Sequence, residues 1–430
     1  MSFNKINENF YQFGSMPVIV EFLDNIMFSN ESKTIGITIG DKSANVMSWG
    51  DKNDLCDIRE ELIGENNIIP QLLKTMRNIN LGSGIFYYNE IQEDGLRKVI
   101  EVDPGDEIRN VIEGLEEDDF FEELTNDFVK NSLAYVRFKN DGNNKYSIAT
   151  IKSRYIRPAE MNDEGKIDTF FRCGDWKKKE NIVAIASYQA VKQSGKPALQ
   201  FIHKIGDNFL GNEYFPIPVW WTGYKWIEIG NKIPEFHSFN LENQYFTPLH
   251  IEIPKGYFYQ ANLVKMGKFT EAEAREAEAE ARQKFLQTVD TVLAGTKNAG
   301  KAVWTEYSLS EMKKEYGGIK FNELKIPRGD DALLKLFEKT NEANISGTGV
   351  HPSLAAIMTG DSLSSGSEIR NALDMYIITQ ALLSRKQLLK PLNILKRLNG
   401  WDSKLKFGFR DVQLTTTDKN PTGQQAVTAN

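Results

Sequence analysis

Apolar residues recur three and four positions apart through "DIREELIGENNIIPQLLKTMRNI", a spacing that predicts one-faced helices. Residues 1–80 as a whole read as mostly helical. "GSGIFYYNEI" reads as a strand hinged on glycine, and "DPGDEIRNVIEGL" and "DDFFEELTNDFVKNS" as further helices. Asp103 before Pro104 predicts a helix start, with acids favoured in the first turn. From Leu133 the period changes to two. "LAYVRFK" and "YSIATIK" alternate across the turn "NDGNN" and predict a hairpin. "RYIRPAEMNDEGKIDTFFRCGDW" predicts a second one around Asp163, Glu164 and Gly165, and "NIVAIASYQ" and "ALQFIHKI" add strands before Pro216.

Residues 220–245 predict a helix with an aromatic face of Trp220, Tyr224 and Trp226, kinked at Pro234. "FTPLHIEIP" is a short strand. "FTEAEAREAEAEARQKFLQTVDTVL" is built from the best helix formers, with Glu271 facing Arg275 and Glu278 facing Arg282. Its first half is polar all round, which suits a solvated or partner-bound helix. "GKAVWTEY" predicts a strand, "LSEMKKEY" a short helix, and "IKFNELKIP" completes a small insert. Asp330–Ile345 forms a helix with Leu333, Leu336, Phe337 and Thr340 on one face. Ser365 and Glu368 make a capping box for a helix over Glu368–Leu398, kinked at Pro391. Between these helices runs "SGTGVHPSLAAIMTGDSLSSG", long enough to suggest a functional loop. The polar tail "TTTDKNPTGQQAVTAN" is expected to be disordered at its end. The fold class is α+β with an antiparallel sheet.

A chain of 430 residues exceeds one ordinary domain, so two or more packed units are expected. A formal charge of −7 shows no basic excess of the kind that drives tight, sequence-independent DNA binding. Cys56 and Cys173 are too few for a disulfide framework or a zinc site, and are expected as reduced, buried thiols. "PVIVEFLDNIMF" is interrupted by Glu21 and Asp24, and no apolar run approaches the ~18 residues of a membrane span. With no secretory signal either, the expectation is a soluble protein made in a reducing compartment, with no membrane partner.

Gly295 to Ala302 spell GTKNAGKA, one residue short of a phosphate-binding P-loop. A P-loop needs a strand before it and a helix after it. Here a helix precedes and a strand follows, and Ala302 replaces the hydroxyl that would bind magnesium. Gly295 reads better as a helix stop, with Asn298–Lys301 as a turn. His203, His237, His250 and His351 lack metal-ligand spacing. Glu116–Asp119 and Glu271–Glu280 read as solvated helix faces rather than cation sites. Trp220, Trp221 and Trp226 read as packing aromatics rather than a stacking platform. A hydrolase built on His351, Ser353 and Asp361 would need loop neighbours to converge, and no G-x-S-x-G elbow exists. The chain is read as not an enzyme, with no cofactor and no metal.

The order of elements resembles that of a tailed-bacteriophage portal protein. "KNSLAYVRFKNDGNNKYSIATIKSRYIRP" is similar to the portal wing, where a helix leads into a hairpin that ends at an Arg-Pro. "YFPIPVWWTGYKWIEIGNKIPEFHSFNLENQYFTPLHIEIP" resembles a stem helix entering the clip, and "NAGKAVWTEY" a clip strand. "IPRGDDALLKLFEKTNEANISGTGVHPSLAAIM" resembles the second stem helix running into the turn and tunnel loop, with Gly349-Val350-His351-Pro352-Ser353 as the turn. The likeness spans residues 120–415. The helix Thr270–Leu293 is long for a clip, and the region after Trp401 is short for a crown.

The resemblance implies a wing (1–219), stem helices (220–246 and 330–348) around a small α/β clip (247–329), a tunnel loop (349–367), and a long kinked wing helix (368–400). Residues 401–430 would form a reduced crown or a disordered tail. It implies a non-enzymatic homo-oligomeric ring of about twelve subunits at one capsid vertex of the virion, assembled in the host cytoplasm. Partners would be the major capsid protein, the terminase large subunit and a head–tail adaptor, with double-stranded DNA passing non-specifically during packaging and ejection. The DNA-facing tunnel loop would comprise Gly349, Val350, His351, Pro352, Ser353, Leu354, Ile357, Met358, Thr359, Asp361, Ser362, Ser364 and Ser365. Lys335 and Lys339 are either channel residues or solvated helix lysines. Docking at the clip would involve Phe246, Thr247, Pro248, Glu271, Glu273, Arg275, Asn298, Lys301 and Trp304. The alternatives are a phage connector ring without a DNA-threading loop and, further behind, a P-loop-like NTPase.

Overall fold

The computed structural model describes residues 4–5, 11–13, 16–18, 31–39, 42–93, 96–143, 145–243, 249–252, 258, 267–268, 270–293, 320–323, 330–355, 357 and 366–411. The chain divides into two units, Met1–Ile26 with Lys232–Phe337, and Met27–Asn231 with Glu338–Asn430. It is mixed α+β, as its patterning predicts, with helices and several small antiparallel sheets.

In the larger unit the N-terminal region departs from the mostly helical expectation. Thr34–Ile39 (β1) and Lys42–Met47 (β2) pair antiparallel, with Ile35 opposite Val46 and Ile37 opposite Ala44. "TIGITI" places isoleucine at every second position, between threonine and glycine, and that period favours a strand. Ile37 and Val46 are buried with Phe171, Cys173, Trp176 and Ile182. Leu55–Glu65 (α1) and Ile69–Leu81 (α2) form where apolar spacing placed helices. Asn66 Oδ1 accepts the amides of Ile68 and Ile69, both at 3.0 Å, and so satisfies donors that the start of α2 leaves open.

Ile85–Glu93 (β3) is the predicted strand, and it pairs with Leu96–Glu101 (β4), whose charged "LRKVIE" hides it from a hydrophobic scan. The helix Asp106–Glu117 (α3) starts after Gly105 rather than at Asp103. Asp103 is spent on the preceding turn, where its Oδ1 accepts Gly105 N–H at 2.9 Å and Arg109 Nη2 at 2.7 Å. Phe120–Asn131 (α4) follows.

Both predicted hairpins form. Leu133–Asn140 (β5) pairs with Tyr146–Ile151 (β6), and Ile156–Pro158 (β7) pairs with Thr169–Arg172 (β8), which pairs with Val183–Ala186 (β9). Tyr188–Ser194 (α5) leads to Gln200–Gly206 (β10), which lies on the other side of β5. Strand β5 is buried on both faces. Leu133 and Tyr135 join a core with Trp49, Ile202 and Trp221, while Ala134, Val136 and Phe138 join a second with Phe121, Leu124, Phe201 and Leu392. Arg157, from the Arg-Pro pair, is a buried hub. Its guanidinium lies 5.4 Å from the Trp49 ring and 5.1 Å from Trp176, and donates to Asn53 Oδ1 and to the carbonyls of Arg154 and Ile156. Burial pulls it down to about 10.

A short 3-10 turn, Val219–Gly223, opens the helix Tyr224–Asn243 (α6), which contains Pro234. Asp330–Thr348 (α7) follows later in the chain. The expected single helix Glu368–Leu398 is three, Gly366–Tyr376 (α8), Leu382–Leu388 (α9) and Lys390–Leu398 (α10). A π-turn over Ile377–Ala381 joins the first two. Pro391 starts α10 instead of kinking a continuous helix, because its missing N–H costs nothing in a first turn. Lys406–Phe409 (β11) then pairs with β3, Phe407 opposite Tyr87.

The smaller unit contains the short strands Asn4–Lys5, Tyr11–Phe13 and Met16–Val18 as one sheet, and Leu249–Glu252 paired with Lys320–Glu323. Its helix Glu271–Leu293 opens on a capping box: Thr270 N–H donates to Glu273 Oε2 at 2.8 Å and Glu273 N–H to Thr270 Oγ1 at 3.3 Å. GTKNAGKA, "GKAVWTEY", "LSEMKKEY" and the final tail lie outside the described residues. Cys56 and Cys173 are free and buried, and burial pushes the Cys56 thiol up to about 12. No described helix is long and apolar enough to cross a membrane.

Candidate functional site

The C-terminal half of α7 buries Thr340, Asn344, Ile345 and Thr348, a helical stripe that is polar at three of four positions. Close approach of α6 makes this stripe possible. Gly230 on α6 meets Thr340 and Asn344, and beside it Asn66 Nδ2 donates to Asn231 Oδ1 at 2.7 Å while Asn231 Nδ2 donates to the Leu62 carbonyl at 3.1 Å. Thr340 Oγ1 and both amide atoms of Asn344 have no hydrogen-bond partner among the described residues.

Helix α7 ends because Gly349 takes φ +68°, a left-handed conformation in which a side chain is strained. Thr348 Oγ1 accepts Val350 N–H at 3.4 Å and donates to the Ile345 carbonyl at 2.8 Å, which closes the last turn. Val350 then drops into the core at 2% exposure. Pro352–Ala355 winds one 3-10 turn, Ala355 is buried, and Gln71 Nε2 reaches the Ala355 carbonyl at 3.4 Å.

The expected DNA-facing residues fall in different surroundings. Val350 is buried, and Leu354 and Ile357 are half-buried against the same core, so these three anchor this end of the loop. Gly349 and His351 are exposed, and Pro352 and Ser353 are half-buried. Met358, Thr359, Asp361, Ser362, Ser364 and Ser365 lie outside the described residues. Lys335 is exposed on α7, and Lys339 is exposed but paired with Glu342 at 2.7 Å, which holds the ammonium above its usual range. Glu271 and Arg275 are exposed, while Glu273 is committed to capping its own helix. Phe246, Thr247, Pro248, Asn298, Lys301 and Trp304 lie outside the described residues. Leu336, expected on the packed face of α7, is exposed.

His351 and Ser353 meet within the turn, while Asp361 lies outside the described residues. His351 Nδ1 is 2.7 Å from Ser353 Oγ, and its Nε2 stands 3.9 Å from Glu368 Oε1. The same Nδ1 also accepts Ser353 N–H at 3.4 Å, so the contact is a local turn as well. His351 and Glu368 border an open cleft of about 810 Å³ between α7 and α8, which Glu342, Asn371 and Met375 also line. The imidazole spans the two ends of the loop, from the turn after α7 to the first turn of α8.

Two surface features were not read from the sequence. Met375, Ile378, Leu382 and Leu383 are 57–63% exposed along α8, the π-turn and α9, where an apolar interior was expected. On the following turns Lys386, Lys390 and Arg397 form a basic ridge. Their spacing was the available signal, but periodicity alone does not say which apolar stripe is inward.

No protein-family model matches the sequence, and no curated protein matches it. The fold, however, is found in solved assemblies. A chain in the virion of a native gene transfer agent particle superposes with a TM-score of 0.52 at 12% identity, over 86% of this chain and 85% of that one. A chain in the neck of an empty gene transfer agent particle, computed with C6 symmetry, gives 0.51 at 12% identity over 83% and 84%.

Proposed function

We propose that the chain is the subunit of a portal-type ring at a capsid vertex, a conduit for double-stranded DNA and a dock for a packaging motor and a head–tail adaptor. The observation that carries this reading is the near full-length likeness to chains of virion and neck assemblies, the second of which has rotational symmetry. The order of elements supports it: a hairpin sheet, helix α6, an excursion, helix α7, an anchored turn and a long segmented helix. The exposed apolar stripe on α8 and α9 supports it too, because a lone subunit would leave that surface in water.

In this reading the DNA-facing part of the loop is the stretch beyond the anchors Val350, Leu354 and Ile357. Few charges there mean little counterion release and weak hold on passing phosphates. The chain does no chemistry of its own, and the His351–Ser353–Glu368 contact ties loop to helix. The test is negative-stain imaging and native mass of the purified chain: closed rings with an axial channel are expected, and a monomer overturns the reading. Deleting 358–364 should leave rings intact and lower the yield of packaged DNA.

A further inference from the structure

A ring needs a head-to-tail interface in which two different patches of the same chain meet. Two patches of opposite sign stand out on the larger unit. The first is the turn between α3 and α4, where Glu116, Glu117, Asp118 and Asp119 are all exposed. Asp119 has φ +54°, which makes the turn a tight knob. Burial raises the Glu116 carboxyl, the Ile85 backbone N–H partly offsets this, and repulsion from Glu122 and Glu113 pushes it up further.

The second is the basic ridge. Lys386, Lys390 and Arg397 are exposed, and no ion pair neutralises any of them among the described residues. Arg397 Nη2 donates to Tyr188 Oη at 3.2 Å, and the Tyr188 ring meets His203 edge-on at 5.6 Å. His203 Nε2 is buried and has no hydrogen-bond partner among the described residues, and with Lys390 and Lys204 it lines a pocket of about 240 Å³. Lys204 is already engaged, donating to the carbonyls of Glu213 and Tyr214, and Glu213 also borders the pocket. Burial drives His203 down to about 4, and Lys390 and Arg397 add repulsion; burial and Lys386 also lower Lys390.

We propose that the acidic turn Glu116–Asp119 of one subunit docks on the Lys386–Lys390–Arg397 ridge of its neighbour, with one carboxylate entering the His203 pocket. The proposal rests on the ring reading above. The occupant is a second copy because this chain carries its own acidic knob, whose carboxylates form no ion pair, with the ridge or otherwise, among the described residues. A pocket of this size admits one carboxylate side chain. A nucleic acid would call for a longer cationic track than three side chains. An inserted carboxylate would supply the missing partner of His203 Nε2 and relieve the repulsion among the cations.

The test is charge reversal in the full chain, with assembly followed by sedimentation velocity across protein concentration. Lys390→Glu with Arg397→Glu, and separately Glu117→Lys with Asp118→Lys, should each raise the midpoint concentration for rings at least about tenfold. The quadruple variant, with both patches reversed, should regain wild-type assembly. Unchanged melting of each variant subunit keeps misfolding out of the result, since these side chains are exposed. If wild type forms rings and either double variant assembles equally well, or the quadruple variant is not rescued, the interface is elsewhere and the ring reading stands. If wild type forms no ring, the ring reading falls and this interface falls with it. If Lys390→Glu with Arg397→Glu abolishes binding of a short DNA duplex while rings form normally, the ridge serves nucleic acid and the proposal is overturned.

Discussion

A Cβ placed on Gly230 would stand 3.1 Å from Thr340 Cγ2, closer than ordinary packing allows, with Asn66 Nδ2 at 3.3 Å on its other side. Glycine therefore sets how near α6 comes to α7 in the larger unit. Gly230→Ala should destabilise by about 1–3 kcal/mol, the usual cost of one extra methyl in a full interior, after helix propensity returns part of it. Thr340→Ser removes the opposing methyl. The double variant should recover most of the loss in a urea denaturation cycle, and additive losses would show that the two residues do not compete for the space.

Arg157 holds β7 to the loop before α1 through the side-chain oxygen and carbonyl of Asn53, and also satisfies the carbonyls of Arg154 and Ile156 beside it. Lysine carries the charge but not the planar fork, so one ammonium cannot reach these acceptors together. Arg157→Lys should cost about 3 kcal/mol or more, because acceptors and a cation are then left buried without partners. The measurement is the shift in denaturation midpoint at constant m-value.

The hairpins around β5 and β7 were legible because each strand pairs with the next across a turn rich in Asn, Asp and Gly. Helices α1 to α4 were legible because each has one apolar face. What stayed hidden depended on distant partners. Strand β4 is charged and strand β11 is four residues long, and both exist because β3 offers them an edge. The N-terminal hairpin was lost because its two strands are six residues each, beside segments whose spacing reads as helix. At the site, Gly349 as a helix stop was readable from its type and place. The burial of Val350 was not, because one apolar residue in a polar loop looks the same whether it points in or out.

Asp127 accepts Ser153 N–H at 2.6 Å. Burial raises its carboxyl to about 6, and the hydrogen bonds from Ser153 only partly offset this. The folded chain thus holds this proton more tightly than the unfolded chain does. Stability from this group is greatest below the ordinary carboxylate range and is lost as pH rises through about 6. Asp127→Asn keeps an acceptor for Ser153 without a charge to bury. The variant should gain stability relative to wild type as pH goes from 4 to 7, read as a growing gap between their melting temperatures. A constant gap would mean that Asp127 is ionised throughout.

Ile378 and Leu382 lie on the exposed apolar stripe, at 63% and 57% exposure. Burying each in a subunit interface would contribute about 1.5–3 kcal/mol by area alone, repeated at every interface of a closed ring. The combined change Ile378→Glu and Leu382→Lys leaves net charge untouched and uses good helix formers, so the free subunit should melt as wild type does. Rings should disappear, because each interface would then bury an ion of each sign against apolar neighbours. Sedimentation velocity at fixed protein concentration separates the outcomes. A monomer of unchanged stability locates the stripe in the interface. Intact rings would place it on the outer surface, and the hydrophobic contact that closes the ring would have to be sought on another face.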